Sequence, residues 1–238
     1  MPRKHLIASS INKKQQQQQS KVALKCVKEI KAAVKVGGDN PEANPRLKSA
    51  IIRALQNNLT RETIQRNISN SQKENIVLKE VTYEAFGPKG LGIIVKALTD
   101  NEQRTISNLR GYLSKFRAEL AKPNSVGILF NEYGQIIISR DDNLTEDKIL
   151  ELVLDFDIID LKQDESAFEL LVHPTVFFRV KNILDDANIK ILSAEIKLIA
   201  NTCVDITEDD DKLLERFLDS CEDDDDIQWV VTNVGEII

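Results

Sequence analysis

The order of periodicities over residues 134–200 restricts the fold of this chain more than any other feature. GQIIIS alternates like a strand, LTEDKILELVLDF has helical spacing, and IIDLK and AFELLVH are strand-like again. PTVFFRVKNILDDA then reads as a helix opening on Pro174, and ILSAEIKLIA as a final strand. Strand–helix–strand–strand–helix–strand is the split βαβ order of a ferredoxin-like sandwich. One more helix, DDDKLLERFLDSC, and one more strand, IQWVVTNV, follow this complete unit. The surplus pair must join an earlier sheet. The ferredoxin-like domain, residues 134–204, is therefore expected to be inserted into a second domain made of residues 76–133 and 205–238.

That second domain shows its own alternation. LKEVTYEAF sets Val81, Tyr83 and Ala85 on one face, and the β-branched run LGIIVKALTD is expected to be covered on both faces. NEQRTISNLRGYLSKFRAEL is amphipathic, with Ile106, Leu109, Leu113, Phe116 and Leu120 on one side and Arg104, Asn108 and Lys115 on the other. SVGILF, residues 125–130, reads as a further strand.

Residues 1–75 are helical and basic. SKVALKCVKEIKAAVKVGG spaces Val22, Cys26, Val27, Ile30, Ala33 and Val34 as a helix that stops at Gly37–Gly38. Asn44 and Pro45 are an N-cap and a first helical residue, followed by a stripe of Leu47, Ala50, Ile51, Ala54 and Leu55. Thr60 caps a third helix, with Leu59 and Ile64 placed as a hydrophobic staple. An arm of residues 1–19 precedes the bundle, and composition leaves Gln15–Gln19 either disordered or part of the first helix. The expected class is α+β, in three domains.

Charge divides the chain unevenly. Residues 1–80 carry 16 Lys/Arg and 6 Asp/Glu, whereas residues 141–238 carry 8 and 27. A basic module suited to a polyanion is thus joined to an acidic one that a polyanion would repel. The apolar runs Leu91–Val95 and Ile136–Ile138 are too short to span a bilayer, and MPRKHLIASSINKKQQQQQSK lacks the apolar core of a signal peptide. A cytoplasmic chain with no membrane partner is expected. Cys26, Cys203 and Cys221 match no zinc or Cys-x-x-Cys spacing and read as small buried residues of a reducing compartment.

Catalytic chemistry finds little support. FGPKGLGIIV has the glycines of a phosphate loop, but its order is not G-x-x-x-x-G-K-[S/T], and a strand rather than a helix follows Gly92. Gly87–Gly90 is better read as a hairpin turn. His5 and His173 are too far apart in sequence for a triad reading, His173 being placed at a strand end. The runs 208–211 and 222–226 lack a calcium-loop pattern. No enzyme activity, metal, cofactor or small-molecule substrate is expected.

Binding remains. Lys13, Lys14, Lys21, Lys25, Lys28, Arg46, Arg53, Arg61 and Arg66 are candidate phosphate contacts, as are Lys89 at the turn and the corner of Asn101 and Arg104. No Phe, Tyr or Trp precedes Tyr83, so the helical module by itself offers no base stacking. Backbone or shape recognition of a duplex or a folded RNA fits it better.

GGDNPEANPRL, YEAFGPKGLGIIV, TDNEQRT, LAKPNSVGILF and EDDDDIQ occur in this order and together resemble the successive signatures of the YebC family. The resemblance spans nearly the whole chain. It implies a helical N-terminal domain and two α+β domains, the third ferredoxin-like and inserted in the second, and it implies no catalytic residues. Family members are labelled probable transcriptional regulators that bind DNA. Relatives, including a mitochondrial translational activator of cytochrome c oxidase, are described as ribosome-associated translation factors that help difficult nascent sequences such as proline runs. The family's usual His-Ser-Lys-Trp stretch is replaced here by PRKHLIASS and the glutamines. The resulting expectation is a nucleic-acid-binding factor in gene expression, associated with the ribosome through ribosomal RNA or tRNA. A DNA-binding transcriptional regulator is the alternative, and a protein–protein adaptor using the acidic domain is the third class.

Overall fold

The computed structural model describes residues 3–71, 77–140, 144–164 and 166–237, with side chains from residue 20 to 235 within those spans. The chain divides into two compact units, one of residues 1–126 and 204–238, the other of residues 127–203.

The first unit begins with α1 (Arg3–Gly37), which runs unbroken through the glutamines. The side chains of Lys13, Lys14 and Gln15–Gln19 lie outside the described residues. Helices α2 (Pro45–Gln56) and α3 (Arg61–Ser71) pack on α1 around Cys26, Ile30, Ala33, Leu47, Ala54, Ile64 and Ile68. Asn44 fixes the α1–α2 corner. Its Oδ1 accepts from Leu47 N at 3.1 Å, while its Nδ2 donates to Ala33 O and Gly38 O at 2.8 Å each. One side chain thus caps the new helix and satisfies carbonyls at the end of the old one. Leu55 is not part of the buried stripe: it is exposed, one position beyond Ala54 on the helix.

The same unit holds an antiparallel sheet, in the order β3 (Glu119–Leu120), β1 (Lys79–Phe86), β2 (Gly92–Thr99), β9 (Ile227–Thr232). The last of these strands pairs with β2, so the chain does return to the sheet begun before the insertion. Every residue of β2 except Lys96 is buried, as its β-branched content leads one to expect. Helices α4 (Glu102–Phe116) and α7 (Glu208–Asp223) pack on one face, with Phe116 and Phe217 stacked at 5.6 Å. Arg117 takes a left-handed conformation and ends α4, so Leu120 belongs to β3 and not to the helix face. A short parallel pair, β8 (Val204–Ile206) with β10 (Val234–Ile237), completes the unit.

Between β1 and β2 the glycines make a turn. Lys89 and Gly90 both have positive φ (56° and 82°), and Gly87 N donates to Leu91 O at 2.8 Å. Gly90 supplies the left-handed residue at little cost. Two residues on, Gly92 N donates to the buried Asn233 side chain at 2.7 Å. The motif is scaffold.

SVGILF is not a strand. Residues 123–126 are a turn, Gly127–Leu129 a short 3-10 turn, and the strand starts only at Phe130. The buried Glu84 carboxylate accounts for this, accepting from Asn124 N (2.8 Å) and Val126 N (2.5 Å) and so drawing those amides away from any ladder.

In the second unit β4 (Phe130–Ser139), α5 (Glu146–Leu152), β5 (Ile158–Gln163), β6 (Ala167–Val172), α6 (Phe177–Asp186) and β7 (Ile191–Ala200) follow the expected order. The antiparallel sheet runs β5-β6-β4-β7, the ferredoxin-like arrangement. Helix α6 starts three residues after Pro174, because Pro174–Val176 form a turn in which His173 Nδ1 lies 2.8 Å from Thr175 Oγ1. Phe177 lies directly over Gly134, where an added Cβ would come within 2.4 Å of the ring. Gly134→Ala is expected to destabilise this unit by about 1–3 kcal/mol through overpacking. Thermal unfolding should show G134A below the native chain, and adding F177L should lose less than the sum of the two single changes.

Candidate functional site

The strongest constellation of charged groups in the first unit centres on Asp226, in the turn between α7 and β9. The residue is 3% exposed. Backbone bonds fix its place: Asp226 O accepts from Leu98 N at 2.8 Å, and Asp226 N donates to Asp224 Oδ1 at 2.9 Å. Lys28 Nζ of α1 donates to Oδ1 at 2.7 Å, and Arg104 of α4 donates to Oδ2 through Nη2 at 2.7 Å and Nε at 3.2 Å. Thr105 Oγ1 completes the shell at 3.0 Å from Oδ2, itself 2.8 Å from the buried Thr99 hydroxyl.

The sequence builds this corner locally. Asn101 caps α4, its side chain accepting from Arg104 N at 3.1 Å. That capped first turn aims Arg104 and Thr105 at one point. Asp100 Oδ1 also accepts from Arg104 Nη2, at 2.7 Å. The TDNEQRT segment therefore forms an anion receptor, and the anion it holds is a carboxylate of its own chain.

Neighbouring acidic residues extend the contact. Lys21 pairs with Asp223 at 2.5 Å, Lys28 also donates to Asp225 O at 3.0 Å, and Lys25 reaches Cys221 O at 3.5 Å. Asp224 Oδ2 accepts from Asn108 Nδ2 at 3.2 Å and from Tyr112 OH at 3.0 Å. Away from this cluster, Arg46 of α2 binds Glu29 at 2.9 Å and also Glu80 of β1. Residues 222–226 thus clasp the basic face of α1 to the sheet domain.

Titration follows from these contacts. Burial pushes the Asp226 carboxyl upward, but its bonds to Lys28 and Arg104 outweigh that, holding it at about 2. Bonds to Asp226 and Asp100 raise the Arg104 guanidinium further above its usual range. Burial first, and Asp224 second, push the Tyr112 phenol up to about 12. Burial likewise raises the Cys221 thiol to about 12. Cys26 and Cys221 are buried, whereas Cys203 is exposed.

The candidate phosphate contacts now fall into two groups. Lys21, Lys28, Arg46 and Arg104 are committed to ion pairs within the unit, Lys25 sits half-buried beside them, and Asn101 is a helix cap. Arg53, Arg61, Arg66 and Lys89 are exposed and, among the described residues, make no ion pair. Sequence reasoning missed Asp226, Thr99 and Glu84 as structural anchors. The only available signal was an acidic run ending against an apolar strand.

No helix among the described residues is long and apolar enough to cross a membrane, and no group of three or more His, Cys, Asp or Glu among them is arranged to hold a metal ion. The fold and this corner define a three-domain α+β protein whose basic helical bundle is clasped by acidic residues of the following domain. Residues 4–74 match the TACO1/YebC protein N-terminal domain and residues 78–234 the TACO1/YebC second and third domain; the chain belongs to this family. It is 57% identical over 236 residues, 99% of each chain, to a probable transcriptional regulatory protein of Ureaplasma urealyticum. It is 47% identical to one of Mycoplasma genitalium over 99% of this chain and 98% of that one. A crystal structure of a conserved hypothetical protein from Aquifex aeolicus superimposes with a TM-score of 0.76 at 31% identity, covering 93% of this chain and 91% of that one.

A depressed carboxyl gives stability that is complete above its unfolded pKa and is lost as pH falls toward its folded value. For Asp226 that window runs from near 3.8 down to about 2, and is worth roughly 2 kcal/mol. Unfolding measured between pH 5 and pH 2 should show Asp226→Asn less stable than the native chain at the upper end, the gap closing toward the lower.

Proposed function

We propose that the protein is a non-enzymatic nucleic-acid-binding regulator of gene expression, acting on the ribosome through structured RNA. The observation that supports this reading is the exposed trio Arg53, Arg61 and Arg66 on α2 and α3, which make no ion pair among the described residues, whereas Lys21, Lys28 and Arg46 are paired within the unit. An exposed guanidinium without a carboxylate suits phosphate, which it can meet through two parallel hydrogen bonds. Lys89, held out at the tip of the β1–β2 turn, adds a further free cation.

Within the bundle few described cations are unpaired, and these with a strongly acidic remainder favour a small docking footprint over a long duplex track, since duplex affinity grows with the number of phosphates neutralised. Family membership supports a regulatory role, and the curated relatives bear the name probable transcriptional regulatory protein. In this reading the chain is cytoplasmic, works without cofactor, and has the ribosome and its RNA as partners.

A specific feature favours DNA as a second reading. Helices α2 and α3 are joined by only Asn57–Thr60, with Asn58 at positive φ, and α3 exposes Arg61, Gln65, Arg66 and Asn70. A short turn between two helices, the second polar on its outer side, is the layout of a major-groove reader.

Co-sedimentation with monosomes after RNase trimming is the expected outcome for the native chain. Arg61→Gln with Arg66→Gln should weaken binding to a folded ribosomal RNA fragment several-fold and lower the salt slope by about one to two. A protein found only in the free fraction, or one that prefers a single duplex DNA sequence over folded RNA, would reject the ribosomal reading.

A further inference from the structure

The helical bundle contains no aromatic side chain, but the fold delivers one to it. Trp229, on the edge strand β9, is 38% exposed and lines a hollow of about 210 Å³ together with Lys21, Lys25 and Cys26 of α1 and Arg53 and Asn57 of α2. A second hollow of about 160 Å³ shares Lys25, Glu222, Gln228 and Trp229 with it.

The charges of the larger hollow are unbalanced. Lys21 is bound by Asp223, and Glu29, also at its wall, is bound by Arg46. Lys25 is different. Among the described residues it makes no ion pair, and its ammonium has only the Cys221 carbonyl at 3.5 Å. Burial pulls its pKa below the usual lysine value, against the opposing pull of Glu222 and Asp224. Half-burying an ammonium without a counter-ion is costly unless an anion supplies one. Among the described residues Arg53 likewise makes no ion pair, which leaves Lys25 and Arg53 beside Glu222, the one lining carboxylate without an ion pair among them. Gln228 Nε2, at the same wall, is buried with no hydrogen-bond partner. An aromatic plane, two cations and an unused amide donor meet in one concavity.

We propose that this hollow binds a single unpaired nucleotide of RNA, its base against the Trp229 indole and its phosphate between Lys25 and Arg53, with the Gln228 amide available to the base or ribose. The volume lies below the roughly 300–1,000 Å³ of pockets that enclose drug-sized molecules, which suits one base. An indole face with a neighbouring arginine is the usual platform for an unstacked base. The inference rests on the RNA-binding reading above and adds to it a single-stranded element beside the structured one.

Trp229 is the sole tryptophan of the chain, so its fluorescence reports this site alone. Octaadenylate titrated into the full chain should quench it in a salt-dependent way. Trp229→Leu should bind fluorescein-labelled octaadenylate about 5- to 100-fold more weakly, with Trp229→Phe recovering most of the loss. Lys25→Gln with Arg53→Gln should weaken binding at least several-fold while leaving the circular dichroism melt in place. Unchanged fluorescence at saturation, or W229L binding like the native chain, would overturn the pocket. Adenosine monophosphate binding as tightly as octaadenylate would overturn its assignment to RNA. If a folded ribosomal fragment still binds through Arg61 and Arg66 in either case, the pocket falls alone. If neither RNA binds, both readings fall.

Discussion

A carboxylate that is almost fully removed from water, Asp226, is the interaction on which the first unit depends. Left alone it would be protonated or would open the structure, because desolvating a charge costs several kcal/mol. It stays ionised because Lys28, Arg104 and Thr105 converge on it from two helices. Its backbone is held by Leu98 on the central strand and by the Asp224 side chain. Helix α1, helix α4, strand β2 and the α7–β9 turn therefore meet at one residue. Removing any one donor would leave the others facing an under-compensated charge, so the corner acts as a unit.

This arrangement changes what the charge distribution means. Summed by segment, the chain has a basic front and an acidic rear. Summed after folding, much of the front's positive charge is already spent. Lys21 and Lys28 have carboxylate partners in residues 223–226, and Arg46 has partners in Glu29 and Glu80. Among the described residues of the bundle, the cations left without an ion pair are Lys25 on α1 and Arg53, Arg61 and Arg66 on α2 and α3. The acidic run is an internal counter-ion before it is a repulsive surface.

Local chemistry made much of this legible in the sequence. The Asn44–Pro45 and Thr60 caps and the turn at Gly87–Gly90 each depend on residues within a few positions of one another. The ferredoxin-like order and the return of the last strand to the first sheet followed from counting complete units. Failures arose where a distant residue decides. SVGILF has strand composition, but Glu84, some forty residues earlier, claims its neighbouring amides. Lys28 and Asp226 are separated by 198 positions, and no periodicity connects them. The pairing of Trp229 with a bundle that has no aromatics of its own is of the same kind.

Burial also separates the two roles of the basic residues by their response to salt. Ions screen exposed charges over a Debye length of about 8 Å at physiological strength, and reach buried pairs far less. Asp226 and Thr105 are buried and Lys28 is half-buried, so this end of the clasp lies on the protected side of that distinction, whereas Arg61 and Arg66 lie on the screened side. Rising salt should therefore release a bound polyanion while the clasp still holds. On the proposed RNA-binding reading, the bundle would then keep its seat on the sheet domain, with Lys25, Arg53 and Trp229 in place around the hollow. Binding groups that are fixed in advance favour affinity, because less is then lost to the ordering of side chains.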